Sequence, residues 1–226
     1  MMEAIIRPLK LDHDLDGAHQ VFVSGFHHVF YPIMDEAKPA LGRDMVKICA
    51  RIGNRSFVAE AEGRVVGILL GAAAPPWKKL RAGLSEAVFG FGPRAFWNRY
   101  KMSPFAKKHL RRVLIGYSPH VYKHPPSWPW AEIIVFAVHR DFRGRGLGRK
   151  LMDAFLDEVR KKGIKKATVS TDTELDWKFY PAYGFKRIVT FPLKAYTLIL
   201  PGKYAEGYIY AIDISPAPKS TEGQIL

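Results

Sequence analysis

The 226-residue sequence predicts an α+β fold, because two kinds of hydrophobic periodicity alternate along it. Short apolar runs of strand length recur, and the clearest of them is Ile133–Val138. Segments with apolar residues three or four positions apart lie between these runs, for example from Leu147 to Val159. A chain of this length buries a sizeable hydrophobic core, and we expect a single domain over residues 1–226.

The first third of the chain contains five expected elements. They are a strand at Ala4–Leu9, a helix through Leu15–Phe22, a short helix at Asp44–Ile52, and the two strands of a hairpin at Ser56–Ala61 and Arg64–Leu70. Asp12 or Asp14 is placed to cap the first helix. The turn of the hairpin falls at Glu62-Gly63, where glycine tolerates the backbone angles that a tight hairpin needs.

A glycine-rich loop, Arg143-Gly144-Arg145-Gly146-Leu147-Gly148, joins the strand Ile133–Val138 to a helix that ends near Lys161. Each glycine in helical backbone costs about 1 kcal/mol against alanine, so three of them suggest a ligand that approaches the backbone closely. Unpaired N–H groups at a helix start favour a phosphate or pyrophosphate. Four cationic residues flank them: Arg143, Arg145, Arg149 and Lys150. The alternative is a glycine-rich loop before an ordinary helix.

Two motifs in this half of the chain resemble one family. The spacing of Arg143, Gly146 and Gly148 resembles the (Gln/Arg)-x-x-Gly-x-(Gly/Ala) motif of the GCN5-related N-acetyltransferases (the GNAT superfamily). A second strand, Ala167–Thr171, leads to the segment 179–185, Phe-Tyr-Pro-Ala-Tyr-Gly-Phe, which looks like the family's closing Phe-Tyr-x-x-x-Gly-Phe helix. The resemblance implies a mixed, mostly antiparallel sheet flanked by helices and an acetyl-CoA-dependent N-acetyltransferase.

The resemblance also implies where the coenzyme binds. Main-chain groups on the strand would pair with the pantetheine arm, and loop N–H groups would hold the pyrophosphate. The expected coenzyme-binding residues are Phe136, Ala137, Val138, Arg143, Gly144, Arg145, Gly146, Leu147, Gly148, Arg149 and Thr173. Thr173 stands where many relatives have an asparagine that contacts the coenzyme, so this contact is expected to be weaker or lost.

Two residues are expected to move protons during direct acetyl transfer to an amine. Tyr180 matches the tyrosine that protonates the leaving thiolate in the family. Glu132 is expected on the same face of the strand as Phe136, and it matches an acid that acts through water in the family. A solvated carboxylate without a catalytic role is an equal alternative for Glu132. Pro181 disfavours helix at Tyr180, so Tyr183 is a second candidate for the acid.

A pair of histidines, His27 and His28, follows the first helix, in a region that helps to form the acceptor site in the family. Packing and surface roles are favoured over substrate binding for them. A metal site needs more ligands, and no other His or Cys cluster accompanies them, so no metal is expected.

The departure from the family lies between Pro75 and Pro129, an insertion that contains eleven lysines and arginines but one acid, Glu86. It therefore carries most of the net charge of +14. Helical periodicity is partial at Leu80–Phe89, Arg94–Met102 and Phe105–Ile115. A helical cap is favoured, and the alternatives are an acceptor-site lid, a membrane-surface helix and a nucleic-acid patch. As a lid, it would favour anionic acceptors.

Composition bounds the remaining functions. Cys49 is the only cysteine, and no apolar run is long enough to span a membrane, so a cytoplasmic protein is expected.

Two strands, Lys186–Phe191 and Gly207–Ile214, are expected before a flexible tail at 216–226. Two rivals to the enzyme remain: a catalytically silent acyl-CoA-binding module, and a nucleic-acid- or membrane-associated protein that uses the insertion.

Overall fold

A computed structural model describes residues 4–30, 33–73, 93–94, 97–112, 130–193 and 205–214. Its strands are β1 (Ile5–Pro8), β2 (Arg55–Ala61), β3 (Arg64–Ala72), β4 (Trp130–Val138), β5 (Lys166–Asp172), β6 (Lys186–Leu193) and β7 (Ala205–Asp213). Its helices are α1 (Leu11–Phe30), α2 (Ile33–Ile52), α3 (residues 104–112), α4 (Leu147–Lys161) and α5 (Phe179–Tyr183).

The strands form a seven-stranded sheet in the order β1-β2-β3-β4-β5-β7-β6. β4 and β5 run parallel, and every other neighbouring pair among the described strands is antiparallel. One face packs against α4 through side chains such as Leu151 and Phe155. The other face packs against α1 and α2 through Val21 and Val46. The predicted α+β class, with a mixed and mostly antiparallel sheet flanked by helices, is confirmed.

Both helices of the first third are longer than the sequence predicts. α1 spans Leu11–Phe30 and so includes His27 and His28, which were expected to follow it, and α2 spans Ile33–Ile52 instead of beginning at Asp44. Tertiary packing accounts for the extra turns, since Ile33 and Leu41 are fully buried. Gly42 allows α1 to approach, because a Cβ at this position would lie 2.6 Å from the His19 ring. Burial therefore overrides the low helix propensity of glycine.

A bulge in β4 changes which side chains face each layer. Leu70 of β3 pairs with Val135, and the next residue of β3 pairs with Ile133, so Ile134 is an extra residue in β4. Ile133 accordingly packs on the α4 face, whereas Val135 packs on the face covered by α1 and α2. After the bulge, Phe136 returns to the α4 face.

The described part of the insertion packs as a cap on α1 and α2. Tyr100 is buried and donates a hydrogen bond to Asp44 of α2 over 2.6 Å, and Arg94 forms an ion pair with the same carboxylate. His109 of α3 is buried, with its Nε2 3.0 Å from the carbonyl oxygen of Val29. Within the described residues, the insertion thus takes the favoured structural role.

The three helices predicted in the insertion agree with the structure to different extents. α3 confirms the described part of the helix at Phe105–Ile115. The helix at Arg94–Met102 is wrong, because residues 97–100 form a turn and Lys101 has a positive φ of 53°. The helix at Leu80–Phe89 and the tail at 216–226 lie outside the described residues. In the described part of the chain, no helix has the length and apolar character needed to cross a membrane.

Candidate active site

The strands β4 and β5 pair only at their beginnings, and a cavity opens where they separate. Registered pairs run from Trp130 with Lys166 to Ile133 with Val169 and end there. The bulge at Ile134 falls at the point of separation. The cavity has a volume of about 650 Å³ and is lined by both strands, by the segments that follow them, and by α1.

One side of the cavity is the loop and first turn of α4, residues 143–149, which we call the cationic wall. Arg143, Gly144, Gly146 and Arg149 all line the cavity. Gly144 and Gly146 have positive φ angles of 75° and 76°, which is why glycine is needed at both positions. Gly146 begins α4 without a side-chain cap, so the first N–H groups of the helix face an anion-binding position.

The third glycine of the motif, Gly148, is explained by close packing and not by a positive φ. A Cβ on Gly148 would lie 3.2 Å from Phe136 Cζ and 3.3 Å from Phe179 Cε2. Gly148 therefore allows the first turn of α4 to pack closely against aromatic side chains of β4 and α5. Close packing is therefore a second reason for glycine at this position, which also lines the cavity.

The three arginines of the loop are placed differently. Arg143 donates from Nε to the carbonyl oxygen of Val138 over 3.2 Å, and Arg149 lies with its Cζ 5.0 Å from the centre of the Tyr183 ring. Both line the cavity and are exposed. Arg145 instead donates to the carbonyl oxygen of Asp141 and is not among the described lining residues.

Tyr180 of α5 also lines the cavity and is buried, with 7% of its surface exposed. Its ring stacks on Tyr210 at a centroid distance of 5.7 Å. Burial raises the pKa of the Tyr180 hydroxyl far above its usual range, and the nearby carboxylates of Asp176 and Asp172 raise this pKa further. The hydroxyl is therefore held in its protonated form.

The expectation that Pro181 disfavours helix at Tyr180 is wrong, because α5 includes both residues. Pro181 falls in the first turn, where the missing N–H has no helical partner to lose. Tyr183 points elsewhere: its hydroxyl is hydrogen-bonded to Asp153, and it is absent from the described lining of the cavity. The structure thus brings Tyr180, and not Tyr183, to the cavity.

Two other expected site residues lie outside the described lining. The bulge at Ile134 places Glu132 on the face opposite to Phe136, so the predicted shared parity is wrong. Thr173 is joined to β7, since its Oγ1 accepts a hydrogen bond from the N–H of Glu206 over 3.2 Å. Phe136, Ala137, Val138, Leu147 and Gly148 do line the cavity.

Sequence reasoning missed a pair of acidic residues, Glu174 and Asp176, which line the cavity on the turn after β5. We call this pair the acidic wall. His28 of α1 lines the cavity beside it and donates from Nε2 to the carbonyl oxygen of Glu174 over 2.6 Å. The available signal was the alternation of acids at 172, 174 and 176 directly after the second strand.

The comparisons with known proteins agree with this architecture. The chain belongs to the acetyltransferase (GNAT) family, whose family model matches residues 25–185. Proteins of this family use acetyl-CoA as a co-substrate. The protein is therefore an acetyltransferase by family.

The similar proteins include one curated relative, the N-alpha-acetyltransferase RimI of Mycobacterium tuberculosis. It is 29% identical over 137 residues, which cover 58% of this chain and 84% of the relative. The ribosomal-protein-S18-alanine N-acetyltransferase of Escherichia coli has a similar fold, with a TM-score of 0.53, 14% identity, and coverage of 96% of this chain and 98% of that chain. An N-acetyltransferase of Staphylococcus aureus Mu50 gives a TM-score of 0.56 at 16% identity, covering 94% and 99%.

The residues of the cavity fit acetyl-CoA as a ligand. The positions of a Cβ on Gly144 and Gly146 have no protein atom within 4 Å, so a ligand has room beside the backbone. Two arginines and the start of α4 match its phosphates. Within the described residues, no group of three or more His, Cys, Asp or Glu side chains is placed to hold a metal ion.

Proposed function

We propose that the protein transfers an acetyl group from acetyl-CoA directly to a primary amine, with both substrates bound at once. One observation carries the proposal: a single cavity connects the anion-binding start of α4 to the buried hydroxyl of Tyr180, through the gap between β4 and β5. The gap gives an extended ligand a path from one side of the cavity to the other.

The cationic wall would hold the phosphates of the coenzyme through Arg143, Arg149 and the N–H groups at the start of α4. The main chain of Phe136–Val138 leaves its pairing with β5 at the gap, and its amides are suited to the amide groups of the pantetheine arm. Acetyl-CoA supplies a thioester carbonyl that an amine can attack.

Tyr180 is the proposed general acid. As the amine nitrogen bonds to the carbonyl carbon and the carbon–sulfur bond breaks, the Tyr180 hydroxyl gives its proton to the departing sulfur. Burial keeps this hydroxyl protonated in the resting protein. Burial also opposes a lasting phenolate, so the proton lost by the amine must return to the Tyr180 oxygen within the same turnover.

The amine must lose a proton, and Glu132 is the predicted base. Because Glu132 faces away from Phe136, it would act only through water that reaches the cavity past Ile134. Its role as the base stays a prediction.

The acceptor class also remains a proposal. The name of the M. tuberculosis relative specifies N-alpha acetylation, and the name of the E. coli protein specifies an alanine of ribosomal protein S18. A protein N terminus is therefore one acceptor to test. The preference for anionic acceptors was predicted from the basic residues of the insertion, and none of these is among the described residues that line the cavity.

The test is a turnover assay with acetyl-CoA and a panel of small amines and short peptides. Release of coenzyme A together with an acetylated amine, identified by mass spectrometry, would support the proposal. Acetyl-CoA binding without turnover across the panel would instead favour the catalytically silent module. Absence of acetyl-CoA binding, with salt-sensitive binding to RNA or anionic vesicles, would favour the third alternative.

A further inference from the structure

The two sides of the cavity carry opposite charges. Arg143 and Arg149 lie on the cationic wall, whereas Glu174 and Asp176 form the acidic wall. The acidic wall follows β5 and lies next to His28 of α1, to which it is joined through the main chain of Glu174. The cationic wall follows β4. The cavity therefore presents separate regions to an anionic and a cationic ligand.

A second observation relates the acidic wall to Tyr180, the proposed general acid. Tyr180 lines the same cavity, is more than nine-tenths buried, and finds no hydrogen-bond partner for its hydroxyl among the described residues. The carboxylate of Asp176 is close enough to act electrostatically on this hydroxyl. A group bound beside Tyr180 therefore lies within the field of Asp176.

The charge balance of the cavity changes when the coenzyme binds, as the proposed function requires. The coenzyme carries several negative charges on its phosphates. The two arginines that line the cavity supply no more positive charge than this. The occupied cavity then has an excess of negative charge, to which Glu174 and Asp176 contribute.

We infer that the acceptor is a primary amine that carries a second positive charge, which the acidic wall binds while the reacting amine lies beside Tyr180. This inference rests on the proposed function and names its substrate class. Either a small diamine or a peptide with a basic side chain next to its N terminus supplies this chemistry. The acidic wall opposes the anionic preference that the basic insertion suggested.

The test measures binding by calorimetry, without turnover, to protein loaded with coenzyme A. Putrescine, butylamine and γ-aminobutyrate have chains of the same length and differ in charge, and the peptides Ala-Lys-Ala, Ala-Leu-Ala and Ala-Glu-Ala form a second series. We expect the dication to bind about tenfold more tightly than the neutral-chain amine in at least one series. The preference should fall between about 0.1 M and about 1 M salt, since the screening length shortens.

The double variant Glu174→Gln/Asp176→Asn should remove the preference. The matched control is Glu62→Gln/Asp16→Asn, which changes the net charge equally at exposed carboxylates outside the described lining of the cavity. Loaded protein should also bind the dication more tightly than protein without coenzyme A, because the phosphates add negative charge.

The outcomes separate the two claims. If coenzyme A does not bind, the proposed function fails and the inference fails with it. If coenzyme A binds but neither series prefers the dication, the inference alone is overturned. An equal loss of preference in the control double variant would also overturn it, because net charge and not the acidic wall would then be responsible.

Discussion

The cationic wall and the acidic wall line one cavity but arise in different ways. The cationic wall is a continuous stretch, residues 143–149, whose conformation is set locally by Gly144 and Gly146 with positive φ. The acidic wall is a turn that is completed by tertiary structure, through the hydrogen bond between His28 and Glu174. A binding site formed by one continuous segment can therefore be predicted from the sequence, whereas a site assembled from distant segments cannot.

The largest expected effect on coenzyme binding comes from a change in the cationic wall. Gly146→Val places a β-branched residue at a φ of 76°, in the position where the coenzyme backbone contact is proposed. We expect the affinity for acetyl-CoA, measured by calorimetry, to fall at least about tenfold, since left-handed backbone costs an L-residue about 1–2 kcal/mol.

Gly163→Val is the matched control for this variant. Gly163 has a φ of 73°, a Cβ there would meet no atom within 4 Å, and it lies at the other end of α4. It should lose a similar amount of thermal stability and keep its acetyl-CoA affinity. Equal acetyl-CoA affinities for the two variants would contradict the proposed coenzyme site.

The largest expected effect on turnover concerns the hydroxyl of Tyr180, which lines the same cavity. Tyr180→Phe should lower kcat by about 10²–10⁴-fold with little change in acetyl-CoA affinity, as expected for a general acid. Tyr183→Phe is the control, because its hydroxyl contacts Asp153 instead of lining the cavity. A larger loss of kcat in Tyr183→Phe would show that the acid is misassigned.

A smaller effect should appear in the pH profile. An ordinary tyrosine is half ionised near pH 10, about its reference pKa. Burial and the carboxylates of Asp176 and Asp172 raise the pKa of Tyr180, so its proton is retained to higher pH. We expect kcat to show no decline from loss of this proton up to about pH 10. A fall in kcat near pH 9 that Tyr180→Phe abolishes would mean that the pKa is not raised.

The smallest expected effect concerns Glu132. Since the bulge at Ile134 turns Glu132 away from Phe136, Glu132→Gln should change kcat by less than the roughly 10²-fold typical of a lost general base. The measurement is kcat at saturating amine across neutral to alkaline pH. A decrease of about 10²-fold or more, with loss of the acidic limb, would establish Glu132 as the base acting through water.

The succession of strands and helices along the chain and the position of α4 were predictable, because apolar spacing and glycine placement are local signals. The bulge in β4 was not predictable, since it depends on the register of β4 against β3. One extra residue reverses the parity of every residue before it, so the assignment of Glu132 beside Phe136 was wrong.

Two further differences between the sequence prediction and the structure also depend on the tertiary structure. Pro181 was interpreted from its own conformational limits, but its position in the first turn of α5 removes the conflict. The start of α2 was misjudged because the burial of Ile33 and Leu41 depends on α3, which comes about 60 residues later in the chain. Local chemistry predicts elements, whereas their ends and faces depend on packing partners.

The most direct test of the account is a single-turnover experiment with protein in excess over acetyl-CoA, quenched at intervals after an amine is added. Direct transfer predicts that the acetylated amine and coenzyme A appear at the same rate, and that the mass of the protein never increases by an acetyl group. An acetylated protein that forms and then decays would contradict direct transfer, and coenzyme binding without any acetylated amine would contradict the assignment as an enzyme.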